Sequence, residues 1–166
     1  MNKRGENMKY VINGIFLTQK ITGVQRYGIE LLKALDNIEY ALDIEVLIPE
    51  YENTNIAFKR LKVIKYGKKS KKIWQQYDYM KYLIKNNAIG ICLSCPAPLF
   101  YNRKCIVVIH DMATCAHPEF YSKKYLLRNK IFMLNGVVKA KKILTVSEFS
   151  KLEIEKYLGI DKNKID

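Results

Sequence analysis

A chain of 166 residues, 49% of them hydrophobic, can build one full-sized domain around its own core and is short for two. Lys and Arg number 29 against 16 Asp and Glu, a net charge of +13, and that excess favours an anionic partner: nucleic acid, a phosphorylated substrate or an anionic lipid surface. No apolar run approaches the roughly 20 residues of a membrane-spanning helix, and the polar start lacks the apolar segment of a signal peptide, so the expected location is cytoplasmic, at most resting on a membrane, with reduced cysteines.

The first strand is predicted over 10–16 and is followed by the loop L-T-Q-K-I-T-G. A helix then starts near Val24, with Val24, Tyr27, Leu31, Leu32 and Leu35 on one face. A strand, a Gly-containing loop and a helix can hold a phosphate, because glycine admits a close backbone approach and a helix N-terminus offers free N–H groups. A turn made by Gly23 alone is the competing reading, since neither a G-x-G-x-x-G nor a Walker sequence is present.

Strands are predicted at 44–48, closed by Pro49, and at 61–66. The cations Lys68, Lys69, Lys71 and Lys72 precede a helix with Ile73, Tyr77, Met80 and Ile84 on one face. With Trp74 and several tyrosines beside them, they suggest a basic, aromatic patch for a membrane surface, against the plain reading of a solvated face. A fourth strand is expected at 89–93. Cys92 and Cys95 form a C-x-x-C, which with Cys115 and His117 is only a weak zinc signal because no second C-x-x-C follows.

The most informative stretch is C-I-V-V-I-H-D-M-A-T-C-A-H-P, at 105–118. Its continuous β-branched run suits a central strand covered on both faces, and His110 and Asp111 fall at the carboxyl end, where ligands bind in open α/β sheets. The alternative is that His110 satisfies a backbone carbonyl and Asp111 caps a turn. Leu127, Ile131, Leu134 and Val138 define a long helix over 122–140, and a strand at 142–146 follows. The last helix is capped by Ser147, with Ser150 and Glu153 as an alternative start, and ended by Gly159. Strands alternating with helices through short connections predict an α/β, Rossmann-like, doubly wound and mostly parallel sheet.

Two stretches, I-T-G-V-Q-R-Y-G-I-E-L-L-K-A-L and V-V-I-H-D-M with the later H-P-E-F-Y-S and I-L-T-V-S-E-F-S-K-L-E-I-E-K-Y-L-G-I, resemble the amino-terminal domain of bacterial retaining glycosyltransferases of family four, which have the GT-B fold. The resemblance covers nearly the whole chain. It implies that 1–166 is a single acceptor-side domain and that the carboxyl-terminal nucleotide-sugar domain is absent from it. The chain alone is then expected to be inactive.

By the same resemblance, His110 and Asp111 are the catalytic pair: His110 approaches the donor sugar and Asp111 orients an acceptor hydroxyl or takes its proton. Gly23, Val24 and Arg26 lie at the donor phosphates, and His117, Ser147 and Glu148 line the cleft. No metal and no other cofactor is implied, the nucleotide sugar being a substrate. The acceptor is a glycan or lipid-linked sugar of cell-surface polysaccharide synthesis, and the partners are the missing domain and an anionic membrane surface. The alternative is a non-catalytic basic module that binds nucleic acid or a partner chain. No recognised nucleic-acid motif supports it.

Overall fold

Every strand pairing described is parallel, and helices connect the strands, which is the α/β, Rossmann-like class predicted. The computed structural model describes residues 9–39, 43–93, 96–101 and 105–166. It divides into two compact units, Met1–Ile91 and Cys92–Asp166.

In the first unit, β1 (Tyr10–Asn13), β2 (Ile44–Ile48), β3 (Lys62–Lys65) and β4 (Ile89–Cys92) run in the order β3-β2-β1-β4. β1 is shorter than predicted. Asn13 Oδ1 accepts the N–H of Ile15 at 3.2 Å and bends the chain into a 3₁₀ turn, Gly14–Thr18. Ile15 and Phe16 are still fully buried, so their apolar character reports the core and not a continued strand. β2 has its predicted bounds. β3 begins and ends on a lysine, charges suited to a strand with a neighbour on one side only.

Helix α1 (Gly23–Asp36) buries Gly28, Ile29, Leu32 and Asp36. Of the face expected to be buried, only Leu32 is fully so. Val24, Tyr27, Leu31 and Leu35 are half-buried, because the face is centred on Gly28, where the Phe16 ring packs. Asp36 closes the helix by accepting the backbone N–H groups of Lys59, Arg60 and Leu61 at 2.6, 2.7 and 2.8 Å. Burial alone would raise its pKa, but the three N–H donors outweigh it and hold the carboxyl below its ordinary value of 3.8. This contribution to stability is complete above that unfolded-state value and is lost as pH falls through the lower folded one. Asp36→Asn is therefore expected to be less stable than the wild type at neutral pH and to converge with it in acid. Urea midpoints compared at pH 7 and pH 3 would show this, and a gap that stays constant would exclude it.

The single helix expected after the lysine run is two, α2 (Lys71–Gln76) and α3 (Asp78–Lys85), broken at Tyr77. The buried side chains are Trp74, Asp78, Tyr79 and Leu83, while Ile73, Tyr77 and Ile84 are exposed, the reverse of the expected face. Polar handles decide this. Trp74 Nε1 donates to Tyr66 O at 2.6 Å and Tyr79 OH donates to Val11 O at 2.8 Å, so both rings bury their area without stranding a donor. Trp74, 0% exposed, is a core residue and forms no membrane-facing patch with the lysines. Two of those lysines are engaged with carboxylates, Lys71 with Glu52 at 2.8 Å and Lys68 with Glu50 at 3.9 Å.

The second unit contains β5 (Cys105–Val108), α4 (Ala113–Ala116), α5 (Lys123–Lys139), β6 (Ala140–Leu144) and α6 (Glu148–Leu158). Ser122 caps α5 through the N–H of Tyr125, and Ser147 caps α6 through that of Ser150, both at the predicted starts. Gly159 ends α6 in left-handed backbone, φ 61°. β6 starts two residues before its predicted position, and after α6 the chain returns so that Ile165 bridges Ile143 in parallel. α5 has the predicted extent, but the stripe that defined it, Leu127, Ile131, Leu134 and Val138, is exposed, whereas Gly136 and Val137 are buried.

Candidate functional site

β5 ends at Val108, and the chain then extends through Ile109 and His110 into Asp111. Ile109 is held beside β6, its N–H on Leu144 O at 2.9 Å and its carbonyl accepting from Thr145 Oγ1 at 2.8 Å. His110 is half-buried, with Nε2 2.8 Å from Leu93 O. A carbonyl only accepts, so Nε2 carries the proton and, in the neutral ring, Nδ1 is of acceptor type. The carbonyl of His110 accepts from Ser150 Oγ at 3.1 Å, and Ser150 Oγ in turn accepts from Ser147 Oγ at 3.1 Å. The first turn of α6 is thereby fastened to the backbone of His110.

Asp111 is exposed, and its Oδ1 accepts the N–H of Ala113 at 2.9 Å, an Asx turn that opens α4. Both bland roles weighed for this pair, a carbonyl partner for His110 and a turn cap for Asp111, are present. A carboxylate keeps further acceptor positions beyond the one a turn occupies.

The remaining predicted residues of this unit separate by role. Ser147 is the N-cap of α6 and part of the serine relay to His110. Glu148 is exposed in the first turn of α6, where its charge complements the helix dipole. His117 is exposed, 3.3 Å from Glu119 Oε1 and stacked on Phe120, both its near neighbours in sequence. Ser150, considered only as an alternative cap, is the buried link between α6 and His110. The two residues lie 40 apart in sequence, and no local pattern marks the bond. A cavity of about 370 Å³ opens elsewhere in this unit, lined by Cys115, Leu126, Met133, Leu134 and Tyr157 among others, without His110 or Asp111.

In the first unit, Gly23 is the first residue of α1, behind the cap Thr22. The Gln25 side chain accepts the Thr22 N–H at 3.2 Å and reaches Gln19 with its own amide. No carboxylate stands in this first turn, and Arg26 is exposed on it, so the positive end of the α1 dipole is reinforced where that of α6 is offset. Val24 is half-buried. Gly23 is exposed, its backbone is not left-handed, and a methyl group placed on it would meet no atom within 4 Å. The packing described therefore places no demand for glycine at this position.

Asn13, at the carboxyl end of β1, was not singled out from the sequence. It is fully buried, with Oδ1 used by Ile15 and Nδ2 without a hydrogen-bond partner among the described residues. An asparagine set inside an apolar run was the available signal. Of the cysteines, Cys92 and Cys105 are buried and Cys115 is exposed, while Cys95 lies outside the described residues. No protein-family model matches the chain, and no curated protein matches it.

Proposed function

We propose that this chain is the acceptor-side domain of a retaining GT-B glycosyltransferase of family four. In this reading it acts on a nucleotide sugar with a second, donor-binding domain and builds a cell-surface glycan. The observation that carries the reading is the fixed geometry of the His110 backbone: a polar pair at the carboxyl end of a buried parallel strand, with the His110 carbonyl tied through Ser150 and Ser147 to the first turn of α6. The anion-receptive first turn of α1, beyond the carboxyl end of β1, adds support.

In the reaction, the bond from the anomeric carbon to the diphosphate oxygen breaks and the acceptor oxygen bonds the same face of that carbon. The acceptor proton passes to the departing phosphate oxygen. His110 holds a donor-sugar hydroxyl, Asp111 orients the acceptor hydroxyl, and Gly23, Val24 and Arg26 receive the diphosphate. No base beyond the phosphate is required, in keeping with a sequence that carries no paired-carboxylate signature of the kind retaining glycosidases use.

The test is sugar transfer by the protein that joins this chain to its donor-binding domain, with His110→Gln as the variant. Glutamine can still donate to Leu93 O, so the fold is expected to persist while transfer falls by about 100-fold. Transfer at the wild-type rate by His110→Gln would remove His110 from the mechanism. Absence of any nucleotide-sugar turnover by the wild type would remove the reading itself.

A further inference from the structure

The exposed stripe of α5 is out of place for a helix that only covers a sheet. Leu127, Ile131, Leu134 and Val138 are 64, 51, 41 and 76% exposed, and at about 100° per residue they fall in one narrow line along the helix. Lys123 and Lys130 flank that line on one side, Lys124 and Arg128 on the other, and all four are exposed. α5 contains no Asp or Glu, and none of these four cations has an ion pair among the described residues. α6, by comparison, mixes Glu148, Glu153 and Glu155 with its lysines.

We propose that α5 is the element by which this chain lies on an anionic lipid surface. The stripe enters the boundary between headgroups and acyl chains, and the four flanking cations reach to the phosphates. The charge pattern selects this occupant. A nucleic acid would match the cations but leave four aliphatic side chains against its phosphates. A second copy of α5 would set the four cations against four more. The site differs from the lysine run at 68–72, whose tryptophan is in the core, and the inference does not depend on the glycosyltransferase reading.

The experiment is co-sedimentation of the chain with phosphatidylcholine vesicles, with and without phosphatidylglycerol. Binding is expected only with the anionic lipid. Ile131→Asp is expected to weaken it by about tenfold or more, and Lys124→Glu with Arg128→Glu by a similar factor, with circular dichroism unchanged because all three positions are exposed. Lys68→Glu with Lys72→Glu is expected to lose far less. The proposal is overturned if neutral vesicles bind equally, if Ile131→Asp binds like the wild type, or if reversal at 68 and 72 has the larger effect. It is equally overturned if DNA competes fully while Ile131→Asp has no effect on either ligand, or if Ile131→Asp instead dissolves a dimer seen without lipid.

Discussion

Gly14→Ala is expected to lower the stability of this chain by about 3 kcal/mol, the upper range for forced overpacking of a core. A methyl group at Gly14 would sit 2.7 Å from Val46 Cγ1, 2.9 Å from the carbonyl oxygen of Leu47 and 3.0 Å from Ile48 Cγ2. All three neighbours belong to fully buried residues of β2, and one of the atoms is backbone. A side chain can rotate away, but the Leu47 carbonyl can retreat only by shifting β2 within its parallel pairing with β1 and β3. In a chain of this size the loss corresponds to a fall in melting temperature of about 10 °C. Gly136→Ala is the matched control. Gly136 lies inside α5 with no atom within 4 Å of an added methyl, so alanine there is expected to gain up to about 1 kcal/mol from helix propensity alone. Thermal melts of the two variants should move in opposite directions, and a Gly14→Ala melt equal to the wild type would refute the packing argument.

The contrast between those glycines marks what was legible in the sequence. Where an element announces itself through its ends, the reading was close: Ser147 as a cap, Gly159 as a stop, Pro49 after β2, and Ser122 as the start of α5. Faces were less legible. The aliphatic spacing at Leu127, Ile131, Leu134 and Val138 states that α5 is a helix, but the same spacing serves a core and an exposed stripe equally. The buried Tyr79 hydroxyl donates to the carbonyl of Val11, 68 residues away, and no window of local periodicity contains such a partner.

The candidate site divides along the same line. That His110 and Asp111 would stand at the end of a buried strand followed from the run of β-branched residues before them. That Ser150 would bind the His110 carbonyl did not, because the bond joins the first turn of α6 to the end of β5, 40 residues away in sequence. Asn13 is a different case: its partner, the Ile15 N–H, is local, and a polar residue inside an apolar run marked it in the sequence.

Gly23→Ala should separate a ligand site from a simple turn. The protein itself places no demand for glycine at the first position of α1, where the backbone is helical and the space around an added methyl is empty to 4 Å. Alanine there is expected to leave the melt unchanged or raise it, by up to about 1 kcal/mol of helix propensity. If a donor diphosphate or its sugar approaches the backbone at this point, the methyl group occupies the room the ligand needs. A displacement of about 1 Å at a reacting centre costs on the order of 100-fold in rate. In the protein that joins this chain to a donor-binding domain, Gly23→Ala is therefore expected to raise the KM for the nucleotide sugar and to depress kcat/KM by about that factor. Gly23→Val should depress it further. Stability and activity would then move in opposite directions at one residue, which a residue needed only for folding cannot produce. Wild-type kinetics combined with a raised melting temperature would instead make Gly23 an ordinary turn residue, and the diphosphate would have to be sought away from the first turn of α1.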